Sequence, residues 1–170
     1  MNKQKHESVR HAWESKLSAQ LRLLGHRNWV VIADAAYPYH SVAGIETIVV
    51  EGEPLQVIRK AIALVESCSH LDATIYTDRE LQFVEEKDAP GVTRLCQEIF
   101  ELLNGRQART LPHQEIIGRL DECARTFRVL VLKTVLTIPY TSVFLELGCG
   151  YWPSDAEHRM RAAMRTRTCQ

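Results

Sequence analysis

Residues 24–41 read LGHRNWVVIADAAYPYHS. In this run two imidazoles and a carboxylate, His26, Asp34 and His40, flank an apolar segment that has no packing use for them. Histidine titrates close to neutral pH, so it can accept and return a proton within one cycle. A nearby carboxylate can orient the ring and stabilise its cation. Further along stand His113, in LPHQEI, and Tyr140, in TIPYTS. Such a set suits proton transfer to and from a bound hydroxyl compound. Each residue also admits a structural use. His26 follows Gly25 and could cap a helix C-terminus, Asp34 could close an Asx turn, His40 could be an exposed loop residue, and Tyr140 could pack on a sheet.

The elements that must position these groups are legible as periodicities. Residues 8–24 read as a helix, with Trp13, Leu17, Leu21 and Leu24 on one face and Gly25 at its end. WVVIAD (29–34) is β-branched and almost wholly apolar, as a strand covered on both faces requires. The loop 34–44 is punctuated by Pro38 and Gly44. ETIVVEG (46–52) predicts a strand, and Pro54 opens a helix whose stripe is Leu55, Ile58, Ile62 and Val65. A strand over 72–77 follows, then a charged segment, 78–90, open to strand or helix. Helices are expected over 91–105 and 112–127, strands over 128–136 and 141–148, with Thr137–Tyr140 as the turn between the last two. Strands alternating with helices predict an α/β fold: a single layered α/β/α domain with a central β-sheet over 1–152. A polar, basic tail, 153–170, is read as a solvated helix or frayed terminus, the other reading being an arm for nucleic acid or a partner. In such a fold His26 precedes a strand, Asp34 ends it, His40 follows in the loop and Tyr140 enters the last strand. Strand ends are where open α/β sheets bind ligands.

Composition narrows the function classes. The chain has 170 residues with 21 basic and 21 acidic side chains, so it lacks the positive excess of a nucleic-acid binder and has no net charge opposing self-association. No apolar run approaches the ~20 residues of a membrane span, and the first residues, MNKQKHESVRHAWESK, contain no secretory apolar region. Five cysteines without a CxxC fit a reducing cytoplasm rather than a disulfide frame or a zinc site. There is no glycine-rich phosphate loop, no GxSxG and no HExxH.

LLGHRNWVVIADAAYPYHS resembles the entry motif of the ribose pyranase/fucose mutarotase (RbsD/FucU) family: a Gly-His pair, a strand ending in Asp-Ala, and a proline-containing loop. The loop, with its Pro and His-Ser, is closer to the fucose mutarotase branch. ETIVVEGEPLQVIRKAIALV resembles the next strand and helix, and KTVLTIPYTSVFLELG the closing segment. The resemblance spans roughly 14–150. It implies an RbsD/FucU-like fold and a cofactor-free mutarotase that interconverts anomers or ring forms of a monosaccharide such as fucose or ribose. It also implies a homo-oligomer, a ring decamer, with sites near subunit boundaries. Carried onto this chain, the catalytic positions are His26, Asp34 and Tyr140. The substrate-binding ones are His40, His113, Thr134 and Ser142, and no metal is implied. Two stretches depart from the family: Thr134-Val135-Leu136 stands where Thr-Gly-Glu is expected, and Ser142 where the Asn after the Tyr is expected.

Opening a cyclic hemiacetal takes one base, to remove the anomeric hydroxyl proton, and one acid, to protonate the ring oxygen. The expectation is that His26 leads, with Asp34 orienting it and His40, His113 and Tyr140 binding hydroxyls or relaying protons. The rival readings are a sugar-binding protein without catalysis, a structural or interaction subunit, and a metal enzyme built on His26, Asp34, His40 and His113.

Overall fold

The computed structural model describes residues 12–167. The first helix, α1, runs Ala12–Leu21 and buries Trp13, Leu17 and Leu21, the stripe its spacing predicts. Strand β1 is Trp29–Ala33, buried at every position. Strand β2, Ile45–Val49, is half exposed. Helix α2, Pro54–Glu66, starts where Glu53 accepts hydrogen bonds from the Leu55 and Gln56 amides. Strand β3 is Leu71–Asp78 and passes into a 3-10 turn, Arg79–Phe83. Helix α3 is Val92–Leu103, strand β4 is Ala108–Leu111, and helix α4 is His113–Ala124. Strands β5, Val129–Lys133, and β6, Val143–Cys149, complete the sheet, and helix α5, Ser154–Arg167, follows.

The six strands form one mixed sheet in the order β2-β5-β1-β6-β3-β4. β1 pairs in parallel with β5, β2 with β5, and β3 with β4, whereas β6 is antiparallel to both β1 and β3. The last strand is therefore central and joins two parallel groups. Helices α1, α2 and α3 cover one face through a cluster that includes Leu17, Ile58, Ile99, Leu132 and Leu145. α4 covers the other face with Ile116, Leu120 and Cys123 against Trp29, Val31 and Phe144. These are the layers of an α/β/α domain. Gly44 lies so close to the backbone of Ala124 at the end of α4 that a Cβ there would collide with the Ala124 carbonyl.

Three expectations are refined. The open segment 78–90 is a 3-10 turn followed by loop rather than a regular element. β4 was not anticipated, because ARTL is short, polar and at the sheet edge. The basic tail is helical: from 154 to 165 only Ala156 and Glu157 are partly covered and the rest is exposed. The predicted helix over 8–11 lies outside the described residues. Among the described residues no helix is long and apolar enough to cross a membrane.

Candidate active site

Because β1, β3, β4 and β5 all run the same way, their C-terminal ends share one edge of the sheet, and β6 begins there. Asp34 follows β1, Asp78 ends β3, His113 follows β4, Thr134 follows β5, and Tyr140–Ser142 lead into β6. A cleft of about 540 Å³ opens at this edge, within the range of small-molecule sites. Asp34, His40, His113 and Tyr140 line it, with Ala35, Pro38, Ile117, Ile138 and Pro139 supplying apolar walls. Four groups from three separate stretches of the chain thus meet in one hollow.

The hydrogen bonds explain how each is held. Asp34 Oδ1 accepts from the Ala36 amide at 2.8 Å, which is an Asx turn, and the Ser142 hydroxyl reaches Oδ2 at 3.4 Å. The loop after β1 is tied to the loop after β5: the Ala35 amide donates to the Leu136 carbonyl at 2.7 Å, and the Thr134 hydroxyl donates to the Ala33 carbonyl at 2.9 Å. Lys133 Nζ donates to the Tyr37 carbonyl at 2.7 Å. Tyr37 is buried beside His40, with the two rings 5.6 Å apart. Burial, helped by Asp121, Asp78 and Asp34, pushes the Tyr37 phenol up to about 12, so it stays neutral. The His40 Nε2 atom is buried with no partner among the described residues.

His113 is the first residue of α4, and its neighbours define the site. Its Nδ1 lies 3.0 Å from Asp78 Oδ1, and its amide, one of the unpaired donors of a helix start, donates to both oxygens of Glu80 at 3.0 Å. The Tyr140 ring stands edge-on to the imidazole at 5.6 Å. Tyr140 adopts a left-handed backbone, φ 59°, which a β-substituted residue holds only at a cost of order 1–3 kcal/mol. Asp78 is fully buried and its Oδ2 has no partner among the described residues. Desolvation raises the Asp78 carboxyl to about 6, against the lowering effect of His113 and with the support of Glu80 and Asp34.

The expected residues therefore fall into three groups. Asp34, His40, His113 and Tyr140 converge. Thr134 and Ser142 are 5% and 3% exposed and sit behind the wall, where their hydroxyls brace Ala33 and Asp34 instead of lining the cleft. His26 is exposed in the turn before β1, whose start is held by the Arg27 amide donating to the Leu147 carbonyl. β1 separates it from Asp34, and five strand residues at about 3.3 Å each put the two roughly 15 Å or more apart, at opposite edges of the sheet. The expected meeting of His26 with Asp34 and Tyr140 does not occur within one chain. The four-residue metal set fails with it, and among the described residues no three His, Cys, Asp or Glu side chains are placed to share an ion. Of the departures, Val135 is 58% exposed and Leu136 packs on the core, so neither lines the cleft. Asp78 and Glu80 went unremarked in the sequence; the one available signal was a carboxylate closing the apolar strand DATIYTD, as Asp34 closes its own.

No curated protein matches the sequence. Solved structures do. Bacillus subtilis RbsD complexed with D-ribose is 20% identical, with 79% of this chain and 92% of that one covered and a TM-score of 0.55. The fucose mutarotase of Streptococcus pneumoniae in complex with L-fucose is also 20% identical, covering 78% and 91%, with a TM-score of 0.52. FucU from Bifidobacterium longum is 15% identical, covering 79% and 94%, at 0.52. At these identities the likeness is one of fold. The profile of the RbsD/FucU transport protein family matches residues 9–150, and with most of its length so matched the chain belongs to the RbsD/FucU family.

Proposed function

We propose that the chain interconverts the anomeric or ring forms of a free monosaccharide, fucose- or ribose-like, by general acid/base ring opening. The observation that supports this most directly is the convergence of Asp34, His40, His113 and Tyr140 on one cleft at the strand-end edge of the sheet. The neighbours with D-ribose and L-fucose bound point to the same ligand class.

His113, not His26, leads within the chain. Its Nδ1 is taken by Asp78, which leaves Nε2 to work on the substrate. The anomeric hydroxyl gives its proton to Nε2, the bond between the anomeric carbon and the ring oxygen breaks, and the ring oxygen takes a proton from the Tyr140 hydroxyl. After rotation of the aldehyde the steps reverse: the attacking hydroxyl returns its proton to Tyr140 and the imidazolium returns its proton to the anomeric oxygen. Nothing is consumed. Asp34 and His40 hold the remaining hydroxyls, and the Tyr140 ring with Ile117 and Ile138 lies along the apolar face of the sugar. One positioned acid–base group supplies ~10²–10⁴-fold, enough for a reaction that also proceeds in water. His113→Gln is expected to slow anomer exchange of fucose or ribose, read by NMR saturation transfer, by about 10²-fold. Exchange at the parental rate would reject the assignment.

His26 enters this scheme from a second copy, holding a substrate hydroxyl so that the anomeric centre faces His113. It stands at one edge of the sheet and the cleft opens at the other, so a head-to-tail contact would bring them together, and head-to-tail contacts close into rings. This is the homo-oligomer proposed here, in a cytoplasmic setting. A non-catalytic sugar-binding role is the second reading, favoured by Leu136, which packs on the core where the family pattern has a carboxylate. Saturable binding by calorimetry with no gain in exchange would select it.

A further inference from the structure

Asp78 is a fully buried carboxylate with a single polar partner, the His113 ring, and a second oxygen that has none among the described residues. Nothing in the packing of β3 asks for it: the neighbouring inward positions on its face are Tyr76 and, across on β6, Phe144. Resting on the acid/base reading above, we propose that Asp78 is the positioning residue of the site, holding His113 in the tautomer that carries its proton on Nδ1 and keeps Nε2 as the acceptor. Glu80 completes the device by clamping the amide of the same residue with both oxygens, so ring and backbone of His113 are fixed by the end of β3 and the 3-10 turn that follows it.

The chemistry follows from the donor inventory. An ionised carboxylate only accepts, so the nitrogen facing it must carry the proton and the other nitrogen cannot. An amide in its place can present either end, and the lock is gone. The carboxylate also stabilises the imidazolium formed when Nε2 takes the anomeric proton. The groups facing Asp78 are His113 from α4, Glu80 from the 3-10 turn, Asp34 from the loop after β1, and the Tyr37 phenol. Burial and the two carboxylates raise Asp78 to about 6 against His113, so the pair takes up a further proton near that pH. Once protonated, Asp78 no longer enforces the tautomer.

The test uses the full chain labelled with ¹⁵N-histidine, His113→Gln serving to assign the ring signals. In the parent at pH 8 the His113 ring is expected as the Nδ1–H tautomer; an Nε2–H ring there overturns the proposal without any variant. Asp78→Asn is expected to shift the ring toward Nε2–H and to slow ribose or fucose anomer exchange about 10–10²-fold. An unchanged tautomer in Asp78→Asn, or a changed tautomer with the parental rate, overturns it. The imidazole signals need no substrate. A parent inert toward every aldose whose ring still flips in Asp78→Asn would sink the mutarotase reading and leave the hold of Asp78 on His113 standing.

Discussion

Asp34 and Asp78 are the same side chain at equivalent strand ends with opposite uses. Asp34 spends one oxygen on an Asx turn and lets the other meet Ser142 at the cleft wall. Asp78 has no backbone donor among the described residues and is buried beside one imidazole. Its carboxyl is raised from an ordinary value near 4 to about 6, so between those values the folded chain binds more protons than the unfolded chain. Stability from this group is therefore fully present below about pH 4 and declines as pH rises to about 6. Urea unfolding from pH 4 to 7 should show that decline in the parent, of order ~2 kcal/mol, and should lack it in Asp78→Asn. Parallel pH curves for the two proteins would refute the linkage. The site residues were only partly legible for a reason visible here. Asp78 and His113 are 35 positions apart, so no local spacing could pair them. His26 and Asp34 are close in sequence, yet the strand between them carries them to opposite edges.

At the scale of elements, the periodic segments were the readable ones. β1 is buried on both faces as its unbroken apolar run requires, and α2 buries Ile58, Ile62 and Val65 of the predicted stripe, with Leu55 half-covered. β4 escaped notice because an edge strand of four mostly exposed residues has no apolar alternation to detect. The turn after β3 escaped because 3-10 geometry leaves no long period. Close approach of elements is equally invisible in sequence until the coordinates show it. Gly44 meets the Ala124 carbonyl at the end of α4, the helix that begins with His113. Gly44→Ala must push the start of β2 or the end of α4 aside. A loss of about 2–3 kcal/mol in urea unfolding is expected, in the range of overpacked core substitutions. A change below ~0.5 kcal/mol would mean that the two segments yield freely.

For the whole molecule, the fold separates His26 from the cleft by the length of β1, and within the proposed scheme only a second copy could bring the two together. Mixing His26→Gln and His113→Gln chains tests this. If sites are completed between head-to-tail copies, a refolded equal mixture regains parental sites in roughly a quarter of positions, although each variant alone is slow. Activity equal to the mean of the two variants would place every site within one chain. The sheet order carries a last consequence. β2, β5 and β1 form one slab and β3 with β4 another, and only β6 fastens them. A ribosome delivers β6 after every other strand. Until then the nascent polypeptide must carry two half-slabs with bare, greasy edges side by side, and the Tyr140 loop that finishes the cleft arrives just ahead of that fastener. The sheet and the cleft are therefore completed together, and a chain cut short before residue 143 would lack the finished cleft and be adhesive to its neighbours.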